Sequence, residues 1–237
     1  MSCLTIVQNA CSIIGIPSPS AIVTSQDDAI RQLLALLNKE GKELEQCAEN
    51  GWQALTLEAT FTTLAATIQG SLNTIAPNYK FILNDTIWNA TQRRRIIGLS
   101  PQQWKTRQGL FPQGAFNEYR IQRNNINFIP APAAGQTCYF EYVTKAWVTD
   151  STGVTSKLTF TADTDVSLLD ENLLELGLIW RWKHAKGLDY AEDFNTYMRN
   201  VDMAIASDVP REILALNRKR TSIFGNDNVP YSDFPSV

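Results

Sequence analysis

The spacing of apolar residues changes twice along this chain of 237 residues, and this change constrains the possible folds more than any other feature. Between residues 3 and 52 apolar side chains recur every three or four positions, which is typical of amphipathic helices. From residue 53 to 161 they alternate with polar residues, as in strands. Beyond residue 165 the helical spacing returns. This order predicts an α+β fold in which two helical segments flank an antiparallel β insertion.

The first helical segment predicts two helices joined by a loop rich in proline and serine. A short helix over residues 3–14 ends at Gly15 and Pro17, which interrupt helices. Ser25 or Asp27 caps the second helix, because both side chains accept hydrogen bonds from free backbone amides. The spacing predicts that this helix buries one face, formed by Ile30, Leu33, Leu34, Leu37, Leu44, Cys47 and Ala48.

The middle of the chain predicts strands, one short helix and two hairpins. A strand covers residues 55–63, and Ser100-Pro101 begins a helix that reaches Trp104. Asn124-Asn125 indicates a tight hairpin, and residues 150–153 form the turn of a second hairpin that ends with a strand over 154–161.

The C-terminal part predicts two further helices and an arm. Ser167 caps the first helix, and the second runs from about residue 189 to 207. The predicted helical domain therefore comprises residues 1–52 and 166–212, which form one bundle, with residues 53–165 as the inserted β domain. Residues 213–237 form an extended arm, since prolines interrupt regular structure there. The arm carries five large apolar side chains: Ile223, Phe224, Val229, Tyr231 and Phe234.

Charge follows the same division of the chain. The net charge is −3 for residues 1–52, +4 for 53–150 and −5 for 151–210, while the whole chain carries −3. A dedicated nucleic-acid-binding domain is usually basic throughout, so the overall balance argues against one. The alternation indicates instead that the middle is a separate structural unit.

The strongest run of charge is Arg93, Arg94 and Arg95. It could join other cations of the middle segment in a basic patch, namely Lys105, Arg107, Arg120 and Arg123. Such a patch would contact DNA phosphates in a channel, form salt bridges between subunits, or simply be a solvated face. Because the chain as a whole is acidic, the sequence favours the latter two interpretations.

The sequence contains no recognisable catalytic or cofactor-binding motif, and we expect neither enzymatic activity nor a bound cofactor or metal. His184 is the single histidine, which leaves little room for histidine-based catalysis or zinc binding. Asp163 and Asp165 resemble only part of a calcium-binding loop, without its glycine and its terminal glutamate. The four cysteines form no C-x-x-C pair and are expected to be reduced and mostly buried. No apolar run is long enough for a membrane span, so no membrane partner is expected.

The N-terminal sequence resembles the opening of head-to-tail adaptor proteins of short-tailed phages, the tail tubular protein A-like virion neck proteins. The segment NACSIIGIPSPSAIV gives a short helix ending in Gly-x-Pro, at Gly15 and Pro17. An amphipathic helix and a Gly-Trp turn follow, at Gly51 and Trp52. The segments YRIQRNNINFIPAPAAGQTCYFEYVTKAW and LLELGLIWRWKHAKGLDYAEDFNTYMRNVDMAI are also similar to such proteins. The resemblance covers most of residues 3–210.

The resemblance implies a structural role in the virion neck. Such adaptors form a twelve-fold ring beneath the portal, with helical parts packed beside neighbouring copies. Their C-terminal arm reaches the portal protein, their other end receives the tail nozzle protein, and genomic DNA passes through the channel without specific binding. The chain would then be located in the virion, and in the host cytoplasm during assembly.

Two other interpretations stay open at the level of sequence. The chain would be a different virion component, such as a head-completion stopper or a tail component, or it would be an unrelated enzyme or glycan-binding module built on the β part. Assembly with portal rings distinguishes the first interpretation from both.

Overall fold

A computed structural model of the chain describes residues 2–109 and 116–208. These residues form an α+β fold, as the sequence predicted. The α-helices in the described part are α1 (Cys3–Ile14), α2 (Asp28–Cys47), α3 (Leu72–Ile75), α4 (Pro101–Gly109), α5 (Glu171–Ala185) and α6 (Ala191–Asp208). A 3₁₀ turn covers Gln53–Leu55. The predicted arm, with Ile223, Phe224, Val229, Tyr231 and Phe234, lies outside the described residues.

Twelve strands complete the described part. They are β1 (Thr56–Thr62), β2 (Ile68–Ser71), β3 (Tyr79–Ile82), β4 (Trp88–Asn89), β5 (Arg94–Arg95), β6 (Ile97–Gly98), β7 (Glu118–Gln122), β8 (Asn125–Ile129), β9 (Thr137–Thr144), β10 (Val148–Thr149), β11 (Ser156–Lys157) and β12 (Val166–Ser167).

The described chain divides into two units. The helical unit contains residues 2–56 and 143–208, and the β unit contains residues 57–142. The second boundary therefore lies before the predicted one at residue 165. The physical reason is that strands β10, β11 and β12 form a sheet of their own, in the order β11-β10-β12. Val166 of β12 bridges to Ser2, and Trp147 beside β10 packs against helix α2, so this sheet belongs to the helical unit. The predicted strand over 154–161 is reduced to the two residues of β11.

Helix α5 lies at the centre of the helical unit, because it packs against α1, α2 and α6. It is apolar on more than one face, as expected for a helix that is covered on several sides. Its N-cap is Asp170, which accepts a hydrogen bond from the Asn172 amide at 2.9 Å, whereas the sequence predicted Ser167. Ser167 instead bonds to the backbone of Leu169.

Two glycines allow close packing around helix α2. A Cβ atom at Gly41 would collide with the Trp147 ring, and one at Gly177 of α5 would collide with the Glu40 side chain. Glu40 is fully buried and forms an ion pair with Arg181, which also binds Glu43 at 2.6 Å. A buried charge needs such a partner because its hydration has been lost.

The predicted burial of helix α2 is correct at most positions. Ile30, Leu33, Leu37 and Leu44 are buried, but Leu34 is only half-buried and Cys47 is exposed. Leu34 follows the fully buried Leu33 at the border of the buried stripe, and Cys47 is the last residue of the helix. Asp27 is the N-cap, one of the two residues proposed from sequence.

The β unit contains two sheets that pack through aromatic side chains. One has the order β1-β9-β4-β5, with β3 also paired to β9, and the other has the order β2-β8-β7-β6. Phe61 of β1 contacts Phe128 of β8 and Phe140 of β9, with ring centroids 6.1 and 6.0 Å apart. These rings lie in a core with Ile126 and Tyr142 of the two sheets and Leu72 of helix α3.

The β unit departs from the predicted antiparallel pattern at one strand pair. Strands β6 and β7 are parallel, because helix α4 lies between them in sequence and returns the chain in the same direction. Ser100 begins this helix as predicted: its hydroxyl accepts from the Gln103 amide, and Gln103 reaches back to the Ser100 amide. The β7–β8 hairpin is also present, with Arg123 and Asn124 rather than Asn124-Asn125 in the positive-φ turn positions.

Candidate interaction surfaces

The three arginines predicted as a basic patch have three different environments. Arg95 forms an ion pair with Asp85 at 2.5 Å, and the Arg94 guanidinium lies 4.0 Å from the centre of the Phe116 ring. Arg93 is exposed in the turn between β4 and β5, with a φ of 53°. Strand geometry sends neighbouring side chains to opposite sides, so the run is not one continuous basic surface. Arg107, another cation of the predicted patch, is paired with Glu118.

The turn that carries Arg93 lies beside the start of strand β9. The Ala90 amide donates to the Thr137 carbonyl at 2.9 Å, and the Thr137 amide donates to the Thr91 hydroxyl at 3.0 Å. The Asn89 side chain is buried and donates to the Gln136 side chain at 2.7 Å. These bonds fix the turn to the end of the sheet, so that Arg93 is an exposed cation on a well-anchored backbone.

A rigid apolar loop lies on the other side of strand β9. We name residues 64–68 (LAATI), which lead into strand β2 and include its first residue, the Leu64 loop; all five are exposed, Leu64 by 53% and Ile68 by 57%. The buried side chain of Gln69 holds the loop from within, because it accepts from the Leu64 amide at 2.8 Å and donates to the Leu64 and Ala66 carbonyls. The Thr67 carbonyl accepts from the Phe128 amide at 2.7 Å.

A second uncharged loop, residues 130–136, is fixed beside the Leu64 loop. Thr63 is buried, and its hydroxyl donates to the Ala133 carbonyl at 2.7 Å and accepts from the Gln136 amide at 3.0 Å. Gly135 donates its amide to the Thr63 carbonyl at 2.9 Å. The loop exposes Ala131, Ala133 and Ala134, so this end of the β unit combines an apolar surface with the cation of Arg93.

The helical unit contains a small pocket whose lining is part apolar and part polar, with two aspartates among the lining residues. We name it the Trp52 pocket; its volume is about 230 Å³. Trp52 is buried and donates its indole N–H to the Leu44 carbonyl at 2.7 Å. Asp208, at the end of α6, accepts from the Gln53 amide at 2.8 Å. The lining residues are Leu44, Trp52, Ala54, Leu168, Leu169, Asp170, Leu173, Ala204, Ser207 and Asp208.

The acidic residues that resemble part of a calcium loop bind the protein's own backbone. Asp163 accepts from the amides of Ile22 and Val23, at 3.1 and 2.8 Å. Asp165 is 1% exposed and pairs with Lys157 at 2.7 Å. Burial alone raises the pKa of Asp165, but hydrogen bonds from Lys157 and the amides of Thr161 and Ala162 outweigh it, so the pKa lies below its usual value. These carboxylates are therefore structural, and they hold the loop before α2 and the turn before β12.

His184 lies on the surface of the helical unit among aromatic rings. Its ring centre is 4.8 Å from that of Tyr190 and 6.3 Å from that of Trp180. Trp180 also packs edge-on against Phe194 of α6, with centroids 5.1 Å apart. These contacts join α5 to α6, so helix packing explains why aromatic residues cluster here and no ligand is needed to explain them.

The thiols and acidic groups of the described part offer no metal site. Burial raises the pKa of Cys3 to about 12 and that of Cys138 to about 11, so both thiols stay protonated at neutral pH. Nowhere in residues 2–109 and 116–208 do three or more His, Cys, Asp or Glu side chains converge as metal ligands would. In the same ranges, no helix combines the length and apolar character that crossing a bilayer requires.

No protein-family model matches this chain, and no curated protein is significantly similar to it in sequence.

Sequence reasoning did not find the Leu64 loop or the Trp52 pocket. The loop depends on Gln69, whose partners are backbone groups, and backbone bonding leaves no pattern in the sequence. The one available signal was an uncharged stretch, LAATI, in which the strand alternation stops. The pocket combines residues from three distant parts of the chain, around Trp52, Leu169 and Ala204, and nothing in the sequence indicates that these parts meet.

Proposed function

We propose that this chain is a structural adaptor of a phage virion neck. In this role it forms a ring, twelve-fold as in the adaptors that it resembles, which joins the portal protein to the tail nozzle protein. Genomic DNA passes through the ring without specific binding, and the protein acts in the virion after assembly in the host cytoplasm. The ordered likeness of its helices, its Gly-Trp turn and its Pro-loop to such adaptors supports this proposal.

One observation carries the proposal further. The described side chains best suited to chemistry are engaged in holding the fold: Asp163 and Asp165 bind backbone amides, Glu40 pairs with Arg181, and His184 lies against Tyr190. Two exposed parts of the β unit have a fixed backbone and no acidic side chain: the apolar Leu64 loop and the basic turn of Arg93. Rigid apolar and basic surfaces are suited to binding other proteins, since little entropy is lost when they dock.

The proposal also explains why the basic run does not form a DNA-binding surface. Arg94 and Arg95 are occupied by Phe116 and Asp85, and the helical unit is acidic. A channel wall of this kind would repel phosphate rather than hold it, so that DNA could move through the ring.

The test is co-assembly with portal rings from the phage genome that encodes this chain. We expect the purified protein to bind the rings, and electron microscopy of the complex to show one added ring of twelve copies. Binding to isolated tail components but not to portal would favour the alternative of a tail protein and contradict the proposal.

A second measurement tests the absence of catalysis. We expect the pure protein to cleave neither DNA nor peptidoglycan, and His184→Ala to assemble as the unmodified protein does, because the imidazole is exposed and packs against the rings of Trp180 and Tyr190. Hydrolysis that disappears in His184→Ala would overturn the structural interpretation.

A further inference from the structure

We propose that neighbouring copies of this chain join head to tail, with the Leu64 loop and Arg93 of one β unit docked into the Trp52 pocket of the next copy's helical unit. The inference rests on the proposed ring and names the surfaces that would build it. It follows from three independent features. The pocket suits an aliphatic side chain with a cation beside it, and none of the described residues fills it. The Leu64 loop and Arg93 offer this combination, and the two units carry opposite net charges.

The Trp52 pocket selects an apolar side chain with a cation beside it. Its accessible apolar surface comes from Ala54 and Ala204, and Trp52 has already satisfied its indole N–H. Its volume of about 230 Å³ suits aliphatic side chains rather than a large ligand. Asp170 and Asp208 stand at the rim, and each carboxylate accepts one backbone amide hydrogen bond, which leaves further lone pairs for a cation.

The end of the β unit offers that combination. Leu64 and Ile68 project from a loop whose backbone is already fixed by Gln69, so docking would cost little conformational entropy. Arg93 is exposed on the opposite side of strand β9, with β1 and β4 as the flanking strands. Two strand spacings separate the loop from the turn, roughly 10 Å, so Arg93 can reach a carboxylate at the rim while Leu64 enters the pocket.

Net charge favours a second copy as the occupant. The helical unit contains nine Lys and Arg against seventeen Asp and Glu, a net charge of −8, and the β unit contains eight against four, a net charge of +4. The two units of different copies therefore attract each other, whereas like units repel. Because the projection and the pocket are different surfaces of one chain, the contact is heterologous, and repeated contacts of this kind close into a ring when the rotation allows.

The test uses one variant for each surface and a matched control for each variant. Leu64→Asp places a charge on the projection, and Val154→Asp is its control because Val154 is 82% exposed in a turn of the helical unit. Ala204→Phe fills the pocket from helix α6, and Ala206→Phe is its control because Ala206 is exposed on the same helix and does not line the pocket. Sedimentation velocity measures the mass of each species against concentration.

We expect the unmodified protein and both controls to associate as concentration rises. Leu64→Asp and Ala204→Phe should each raise the dissociation constant about 10- to 100-fold, as the loss of one buried aliphatic contact implies. An equimolar mixture of the two variants should form a 1:1 heterodimer and nothing larger, since each variant keeps one intact surface. Arg93→Glu should weaken association at least about tenfold at low salt, and added salt should reduce this difference.

Several results would overturn the inference: an unmodified protein that stays monomeric up to about 1 mM, variants that associate as well as their controls, or a mixture that remains monomeric. Circular dichroism of each variant tests whether misfolding, rather than the lost contact, weakens association. Heterodimer formation in the mixture is a second control, because it requires only the surface that each variant retains. If both variants associate normally but the protein still binds portal and forms rings, the adaptor function stands and only the assigned surfaces are wrong.

Discussion

At the scale of single residues, the helical unit is held by close approaches that only glycine permits. Gly41 faces the ring of Trp147, and Gly177 faces Glu40, which is paired with Arg181. Glycine in a helix usually costs about 0.5–1 kcal/mol relative to alanine. Here the missing side chain makes room for a tryptophan and for a buried ion pair, so the local cost is offset by packing.

Gly41→Ala should therefore destabilise the protein although alanine favours helices. The added Cβ would overlap the Trp147 ring and force it to move, which costs about 1–3 kcal/mol in a packed core. The free energy of unfolding in urea measures this loss. Gly109→Ala is the matched control, because no atom lies within 4 Å of the added Cβ there, and we expect it to be neutral or stabilising. Equal stability of the two variants would show that Trp147 yields freely.

Asp165→Asn should lower stability in a manner that depends on pH. The pKa of Asp165 is depressed in the folded protein, so its carboxylate contributes stability above the unfolded pKa of about 3.9, and this contribution is lost as pH falls through the folded pKa. We expect a loss of about 1–3 kcal/mol at pH 7, which shrinks below about pH 4. Urea unfolding of both proteins between pH 3 and about pH 7 tests this; a loss that is constant with pH would contradict it.

At the scale of secondary-structure elements, the chain's own sequence predicted what depends on local spacing. Helices α1, α2, α5 and α6 and the β7–β8 hairpin follow from apolar periodicity and turn residues. The placement of β10, β11 and β12 with the helical unit did not follow, because two-residue strands leave no measurable alternation. The parallel pairing of β6 was also missed, since it depends on where helix α4 returns the chain.

Two neighbouring leucines of helix α2 test the register of that element. Leu33→Ala should cost about 2–5 kcal/mol, because Leu33 is fully buried. Leu34→Ala should cost less, about 1 kcal/mol, since its side chain is only half-buried. Chemical denaturation of the two variants gives the comparison, and the reverse order would mean that the helix is rotated relative to the structure described above.

At the scale of the whole molecule, two units of opposite net charge are joined in one chain. The helical unit carries a net charge of −8, the β unit +4, and residues 211–237 +1. Because these values sum to −3, the net charge of the whole chain does not by itself reveal the contrast between the two units. The alternation of charge along the sequence already indicated a separate middle unit, and the division of the structure sharpens it to −8 against +4.

The C-terminal residues supply the prediction that belongs to this scale. Deletion of residues 222–237 should leave helical circular dichroism and the melting temperature unchanged and abolish binding to portal rings. The segment contains Ile223, Phe224 and Tyr231, and each apolar side chain that docks contributes about 1.5–3 kcal/mol, which a ring of copies multiplies through effective concentration. A truncated protein that misfolds would place these residues in its own core, and full binding would place the portal contact on the helical unit.

The β unit enters and leaves through neighbouring strands, β1 and β9. Thr63 beyond the end of β1 bonds to Gln136 ahead of β9, so the two strands run in opposite directions and the two chain ends of the unit lie one strand spacing apart, about 5 Å. Because its two ends are adjacent, this inserted unit can be lengthened, shortened or exchanged for another without moving the two points at which it joins the rest of the chain. The helical unit can thus stay the same while the inserted unit changes.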